Sequence, residues 1–149
     1  MTVDAATTDG APAPADVWAE RTGSRAYTGR NSRGAEVRMG PSEAGAVFTP
    51  GELLKVALAG CCGMSSDVAL ARRLGPGYAA TVRVSGRSDP AENRYPHLRE
   101  ELVVDLPDLD DTARARLLTV LHRVIDEECT VARTLTRGAT LELTVTGER

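Results

Sequence analysis

One segment decides much of what this chain can fold into: residues 49–74 read as a single long helix with both ends marked. Thr49 can cap the free N–H groups, Pro50 fits the first helical position, and Glu52, three residues after Thr49, completes a capping box. Gly75-Pro76-Gly77 stops the run. At 100° per residue, Leu54, Leu58, Cys61, Ser65 and Val68 fall in a narrow stripe. That phase puts Cys61 near the centre of the apolar seam and Cys62 towards its edge. Gly60 and Gly63 bracket the two cysteines, and a glycine in a helix interior costs roughly 1 kcal/mol against alanine. Close packing or access to the site must offset that cost.

The rest of the chain supplies sheets and a second helix to cover the first. Residues 18–39 hold two short β-like runs on either side of Asn31-Ser32-Arg33-Gly34, a hairpin with its turn chemistry in place. Residues 78–86 alternate through Ala80, Val82 and Val84, and residues 98–106 through Leu102 and Val104, which predicts a second hairpin. A helix over about 111–127 follows, with Leu117, Leu118, Leu121, Val124 and Ile125 on one face, and runs towards Cys129. Strict alternation of Ala139, Leu141, Leu143 and Val145 predicts a closing strand over 139–146. The order is ββ-α-ββ-α-β, an α+β fold in one domain over residues 16–149. Residues 1–15, rich in Ala, Pro, Thr and Asp without an apolar period, are expected to form a disordered tail.

Composition removes several classes of function. Aromatic residues are only 3% of the chain, and 18 basic against 21 acidic residues give a net charge of -3. Both oppose nucleic-acid binding, which needs stacking platforms and a basic footprint. With no Cys-x-x-Cys and His only at 97 and 122, no metal site or cofactor is expected. No leader-type N-terminus is evident, and no apolar run is expected to reach the ~20 residues that span a bilayer. The expected location is the cytoplasm.

The three cysteines, at 61, 62 and 129, are too few and too uneven for a disulfide scaffold. Neighbouring Cys61 and Cys62 cannot bond to each other inside a helix without strain. Packing the two helices together would make Cys129 the partner of Cys61, although a free cysteine is often only a small buried hydrophobe. Asp126, Glu127 and Glu128 precede Cys129 and disfavour its thiolate, so it is the poorer nucleophile and the better resolving thiol. A reactive Cys61 needs help from outside its own apolar helix turn. Arg25, Arg30 and Arg38 are the candidates, with Arg25 preferred, and Glu52 could orient that arginine as well as cap the helix.

Thr49-Pro50-Gly51-Glu52-Leu53-Leu54, leading through Ala57-Leu58-Ala59-Gly60-Cys61, then Cys129-Thr130-Val131-Ala132 and the closing strand pattern, resemble the OsmC/Ohr proteins over roughly residues 20 to 146. These are named for osmotic induction and organic hydroperoxide resistance. The resemblance implies two curved antiparallel sheets around central helices in an intertwined homodimer. It implies a thiol-dependent peroxidase in which Cys61 attacks an organic hydroperoxide, Cys129 resolves the sulfenic acid as a disulfide, and an external dithiol, such as a lipoylated protein, regenerates the pair. Two positions depart from the well-studied hydroperoxidases: Gly51 stands where they carry a Glu that fixes the catalytic arginine, and Thr130 stands where Pro usually follows the late cysteine. These departures resemble less characterised OsmC-like branches. Two other functions fit the same residues: a non-enzymatic dimer binding a small apolar ligand at its interface, and a redox sensor using Cys61 alone.

Overall fold

The computed structural model describes residues 16–106 and 108–147; the tail expected over 1–15 lies outside them. The chain forms two compact units, the first ending at Pro50 and the second beginning at Gly51. The fold is α+β with two small antiparallel sheets.

The first unit is a three-stranded sheet in the order β1 (Val17–Gly23), β2 (Ala26–Asn31), β3 (Glu36–Met39). The turn expected at Asn31 is present: its Oδ1 accepts from the N–H groups of Arg33 and Ala35 at 2.9 and 3.0 Å, and Gly34 supplies φ 91. A further reversal, not foreseen, splits the first β-like run in two. Gly23 pairs with Ala26 across Ser24-Arg25, where Arg25 takes φ 53. The usual Asn-Gly or Asp-Gly signal for so tight a turn is missing there. Arg30 pairs with Glu36 and, at 3.7 Å, with Glu20, while Arg38 donates to the Ala46 carbonyl at 3.2 Å.

The second unit carries α1 (Pro50–Leu74), the hairpin of β4 (Ala80–Ser85) and β5 (Arg99–Val104), then α2 (Asp111–Glu128) and α3 (Thr130–Arg137). Helix α1 begins and ends as expected, closed by Gly75 at φ 92 with its N–H on the Ala71 carbonyl at 2.9 Å. Its buried stripe is Leu58, Cys62, Ser66 and Leu70. The expected phase is therefore corrected by one residue: Cys62 lies in the seam and Cys61 on its edge, while Leu54 and Val68 are exposed. Ser66 is tolerated in the seam because its hydroxyl bonds back to the carbonyls of Cys62 and Gly63 at 2.9 and 3.1 Å. Leu70 packs with Leu117 and Leu121 of α2 to form the core, flanked by Leu102 and Val104 of β5.

Three further expectations change. The helix expected over 111–127 is present as α2, but an unforeseen third helix follows it, with Cys129 (φ -74, ψ 93) at the joint. Among the described residues the segment expected as a closing strand over 139–146 pairs with no strand; Leu141, Leu143 and Val145 are 92%, 91% and 86% exposed. By length and composition α1 could cross a bilayer, against the expectation that no run reaches that size. Its best 18-residue window has a mean hydropathy of 1.5 and is 22% buried within the chain.

Candidate active site

Helix α2 is capped by Asp110, whose carboxylate accepts from the Ala113 N–H at 2.7 Å, and it ends in an acidic stretch at Glu128. Cys129 closes it, donating its N–H to the Ile125 carbonyl at 3.0 Å, and opens α3 by accepting at its carbonyl from the Arg133 N–H at 3.0 Å. The chain thus turns a corner on a fully buried cysteine, and the first N–H groups of α3, which have no carbonyl partner within their own helix, lie at that corner.

Cys61 of α1 meets this corner. Its sulfur is within hydrogen-bonding reach of the Val131 and Thr130 N–H groups, the Cys129 thiol and the Ser65 hydroxyl. Burial opposes its thiolate, but the Val131 amide, Cys129 thiol, Thr130 amide and Ser65 hydroxyl together hold its pKa below that of an ordinary thiol. Cys129 moves the other way. Burial pushes it up, the Ala132 N–H opposes this, and the hydrogen bond and charge of Cys61 with the charge of Glu100 add to the rise. Of the pair, Cys61 is therefore the more readily ionised thiol and Cys129 the less. All three cysteines are free.

Cys62 has a different environment. Burial, then the charge and hydrogen bond of Glu100, then the charges of Cys129 and Cys61, push its thiol up to about 12. Glu100 was not singled out from the sequence, yet a signal was there. It occupies the inward phase of β5 with Leu102 and Val104, and a carboxylate on that phase breaks the apolar alternation. The carboxylate that acts on Cys129 is Glu100, in place of the expected Asp126, Glu127 and Glu128, which are all exposed.

The remaining expected site residues are Glu52 and Arg25. Glu52 is exposed in the first turn of α1, nine residues before Cys61, hence about 13 Å along the axis and half a turn round the helix. Arg25 belongs to the first unit, where it lines an apolar pocket of about 520 Å³ with Ala19, Tyr27, Met39 and Thr49. Among the described residues no group of His, Cys, Asp and Glu side chains could hold a metal ion.

Gly51 has a steric reason. A Cβ there would run into the Tyr95 hydroxyl and ring, and Tyr95 is held from its other side by Lys55, whose ammonium stands 4.4 Å from the ring centroid and donates to the Gly86 carbonyl at 2.7 Å. Gly60 has no such reason among the described residues, since a Cβ there would meet none of them within 4 Å. It lines an open groove of about 530 Å³ with Gly63, Met64, Asp67, Tyr78 and Val82.

The family model described as OsmC-like protein matches residues 43–144. The chain belongs to the OsmC-like protein family. A Mycobacterium tuberculosis protein, named as uncharacterized, is 51% identical over 129 residues, covering 87% of this chain and 94% of the relative. Among solved structures, the OsmC-like protein from Mycoplasma pneumoniae superposes with a TM-score of 0.62 at 15% identity, over 85% of this chain and 89% of that one. The organic hydroperoxide resistance protein OhrB of Bacillus subtilis superposes with a TM-score of 0.54 at 19% identity, over 83% of this chain and 92% of that one. The OsmC-like match spans both cysteine positions of the cluster.

Proposed function

We propose that this OsmC-like protein is a thiol-dependent peroxidase that reduces organic hydroperoxides through Cys61 and Cys129. One observation carries the reading: a half-buried Cys61 with a lowered pKa, at the N-terminus of α3, hydrogen-bonded to a fully buried Cys129. The hydroperoxide resistance named for structural relatives from Bacillus subtilis and Legionella pneumophila agrees with it.

Cys61 thiolate attacks the terminal oxygen of the hydroperoxide, the O–O bond breaks, and the alkoxide leaves and takes a proton to become an alcohol. Cys61 is left as a sulfenic acid, and Cys129 condenses with it to a disulfide with loss of water. An external dithiol, of which a lipoylated protein is one source, returns both thiols. The hydroperoxide resistance named for those structural relatives favours organic hydroperoxides over hydrogen peroxide as the substrate. Glu52 keeps at most an orienting role in this scheme. Free cysteines throughout suit a reducing compartment, the cytoplasm.

The expected partner is a second copy of the chain. Val56, Met64 and Val68 of α1 are 51%, 81% and 60% exposed, and the unpaired 139–146 segment adds further bare apolar residues. A surface of that kind marks an interface.

Anaerobic thiol titration before and after one equivalent of cumene hydroperoxide tests the reading. Two thiols should disappear together and Cys61→Ser should abolish turnover; unchanged peroxide consumption in Cys61→Ser would refute it. The apolar pocket also favours a second reading, a ligand-binding dimer without catalysis. Peroxide-insensitive thiols and an apolar molecule retained in native mass spectrometry would select it.

A further inference from the structure

The resolving step has a proton to dispose of. Cys129 has no exposed surface, so when its sulfur attacks Cys61 no bulk water is at hand to receive its proton. Asp126, Glu127 and Glu128 are all exposed. Glu100 is the carboxyl placed inside. It stands on β5 opposite Val84, on the inward phase, and the Cys62 thiol donates to it. Its charge is felt at Cys129, and its Oε1 is buried with no hydrogen-bond partner among the described residues. A buried carboxylate oxygen left without a donor requires a reason, and a proton acceptor is one.

The surroundings support that use. From α1 Glu100 faces Cys62, and the nearest charge effect at the α2–α3 joint is on Cys129. On its own hairpin, Arg99 and Glu101 have the opposite phase and are exposed, and Arg83 is 3.8 Å from Glu101. Burial raises the proton affinity of Glu100 above that of an ordinary carboxylate, against the pull of the Cys62 hydrogen bond. A base of raised pKa is better matched to a thiol than an exposed carboxylate is.

We propose that Glu100 accepts the proton that Cys129 loses when it forms the disulfide with Cys61. The Cys129 S–H bond breaks, and the proton passes to the Glu100 carboxylate. The sulfur bonds to Cys61 Sγ, and the S–O bond of the sulfenic acid breaks. The departing hydroxide takes the proton back from Glu100 and leaves as water. The two electrons lost by the cysteine pair are those gained by the hydroperoxide, and Glu100 ends as it began. The peroxidase reading enters only as the source of oxidised Cys61.

A test that needs no peroxide uses an aromatic disulfide reagent releasing coloured nitrothiobenzoate. Cys61 releases the first equivalent by forming a mixed disulfide, and Cys129 releases the second by attacking Cys61. The leaving nitrothiobenzoate is too weak a base to take the proton. Glu100→Gln should leave the first phase unchanged and slow the second about tenfold or more, a general-base effect at the low end of the usual range. Glu100→Asp should restore part of the rate. In the wild-type protein the second phase should rise with pH through a carboxyl titration lying below the thiol range, and that dependence should vanish in Glu100→Gln. A wild-type second phase in Glu100→Gln, or a rise confined to the thiol range, overturns the proposal. A normal second phase in wild-type protein that ignores cumene hydroperoxide removes the peroxidase reading and leaves Glu100 standing; absence of the second phase removes both.

Discussion

Dipoles lower the pKa of Cys61: two backbone N–H groups of α3, the Cys129 thiol and the Ser65 hydroxyl outweigh its burial. Its depressed pKa means that the reactive form persists as pH falls below the ordinary thiol range. Alkylation by iodoacetamide, followed by peptide mass spectrometry, should therefore label Cys61 first, with a midpoint below that of a free thiol. Cys62, pushed up to about 12, should stay unlabelled in the folded protein at any neutral pH. Equal labelling of the two would contradict the geometry. Glu100 carries the opposite sign. Its folded pKa is raised, so its contribution to stability is present below the unfolded carboxylate value and is lost as pH rises through the folded value. Glu100→Gln, always neutral, should gain on the wild-type protein in urea unfolding as pH goes up. The choice of Cys61 and Cys129 was legible from spacing. The phase was not, because Leu54 and Val68 count as inward in a periodicity when they are bare in the fold. Glu100 was overlooked since β5 was read through its apolar members alone.

Helix α3 gives a physical meaning to a departure from the hydroperoxidases. Where Pro usually follows the late cysteine, Thr130 brings an N–H, and that N–H is one of the donors to Cys61. Pro is tolerated in a first helical turn, and Cys129 already has the extended backbone that precedes proline. Thr130→Pro should keep the fold, raise the alkylation midpoint of Cys61 and slow its labelling at neutral pH; unchanged labelling would show that the amide is idle. The start of α1 makes a second test. Gly51→Ala drives a methyl into Tyr95 and should cost about 1–3 kcal/mol in denaturant unfolding. Tyr95→Ala in the same chain should recover part of that loss. Helix α1 was legible to its terminal residues because its capping and stop signals are local. Helix α3 was not, since a break at one extended residue has no Gly or Pro to announce it. The turn at Arg25 was missed because its one glycine, Gly23, stands before the two turn residues and not among them.

Across both units, apolar residues stay in view on β1, α1 and the 139–146 segment. The alternation of Leu141, Leu143 and Val145 is the pattern of a strand, but a pattern needs a neighbour to become one, and none stands beside it among the described residues. Fold class was thus legible, whereas the third strand, α3 and the unpaired closing segment were not. Sedimentation should find a dimer, and Leu143→Asp should weaken it. Losing the burial of one leucine is worth about 1.5–3 kcal/mol, or roughly tenfold or more in dissociation constant. A monomer at all concentrations would defeat the proposed pairing. Helix α1 carries the last consequence. While the chain is being made, a helix with the length and hydropathy of a membrane segment is left largely uncovered by its own neighbours. In the proposed dimer a second copy would cover that helix, so a chain that fails to pair would present lipid with an apolar surface of membrane-spanning length.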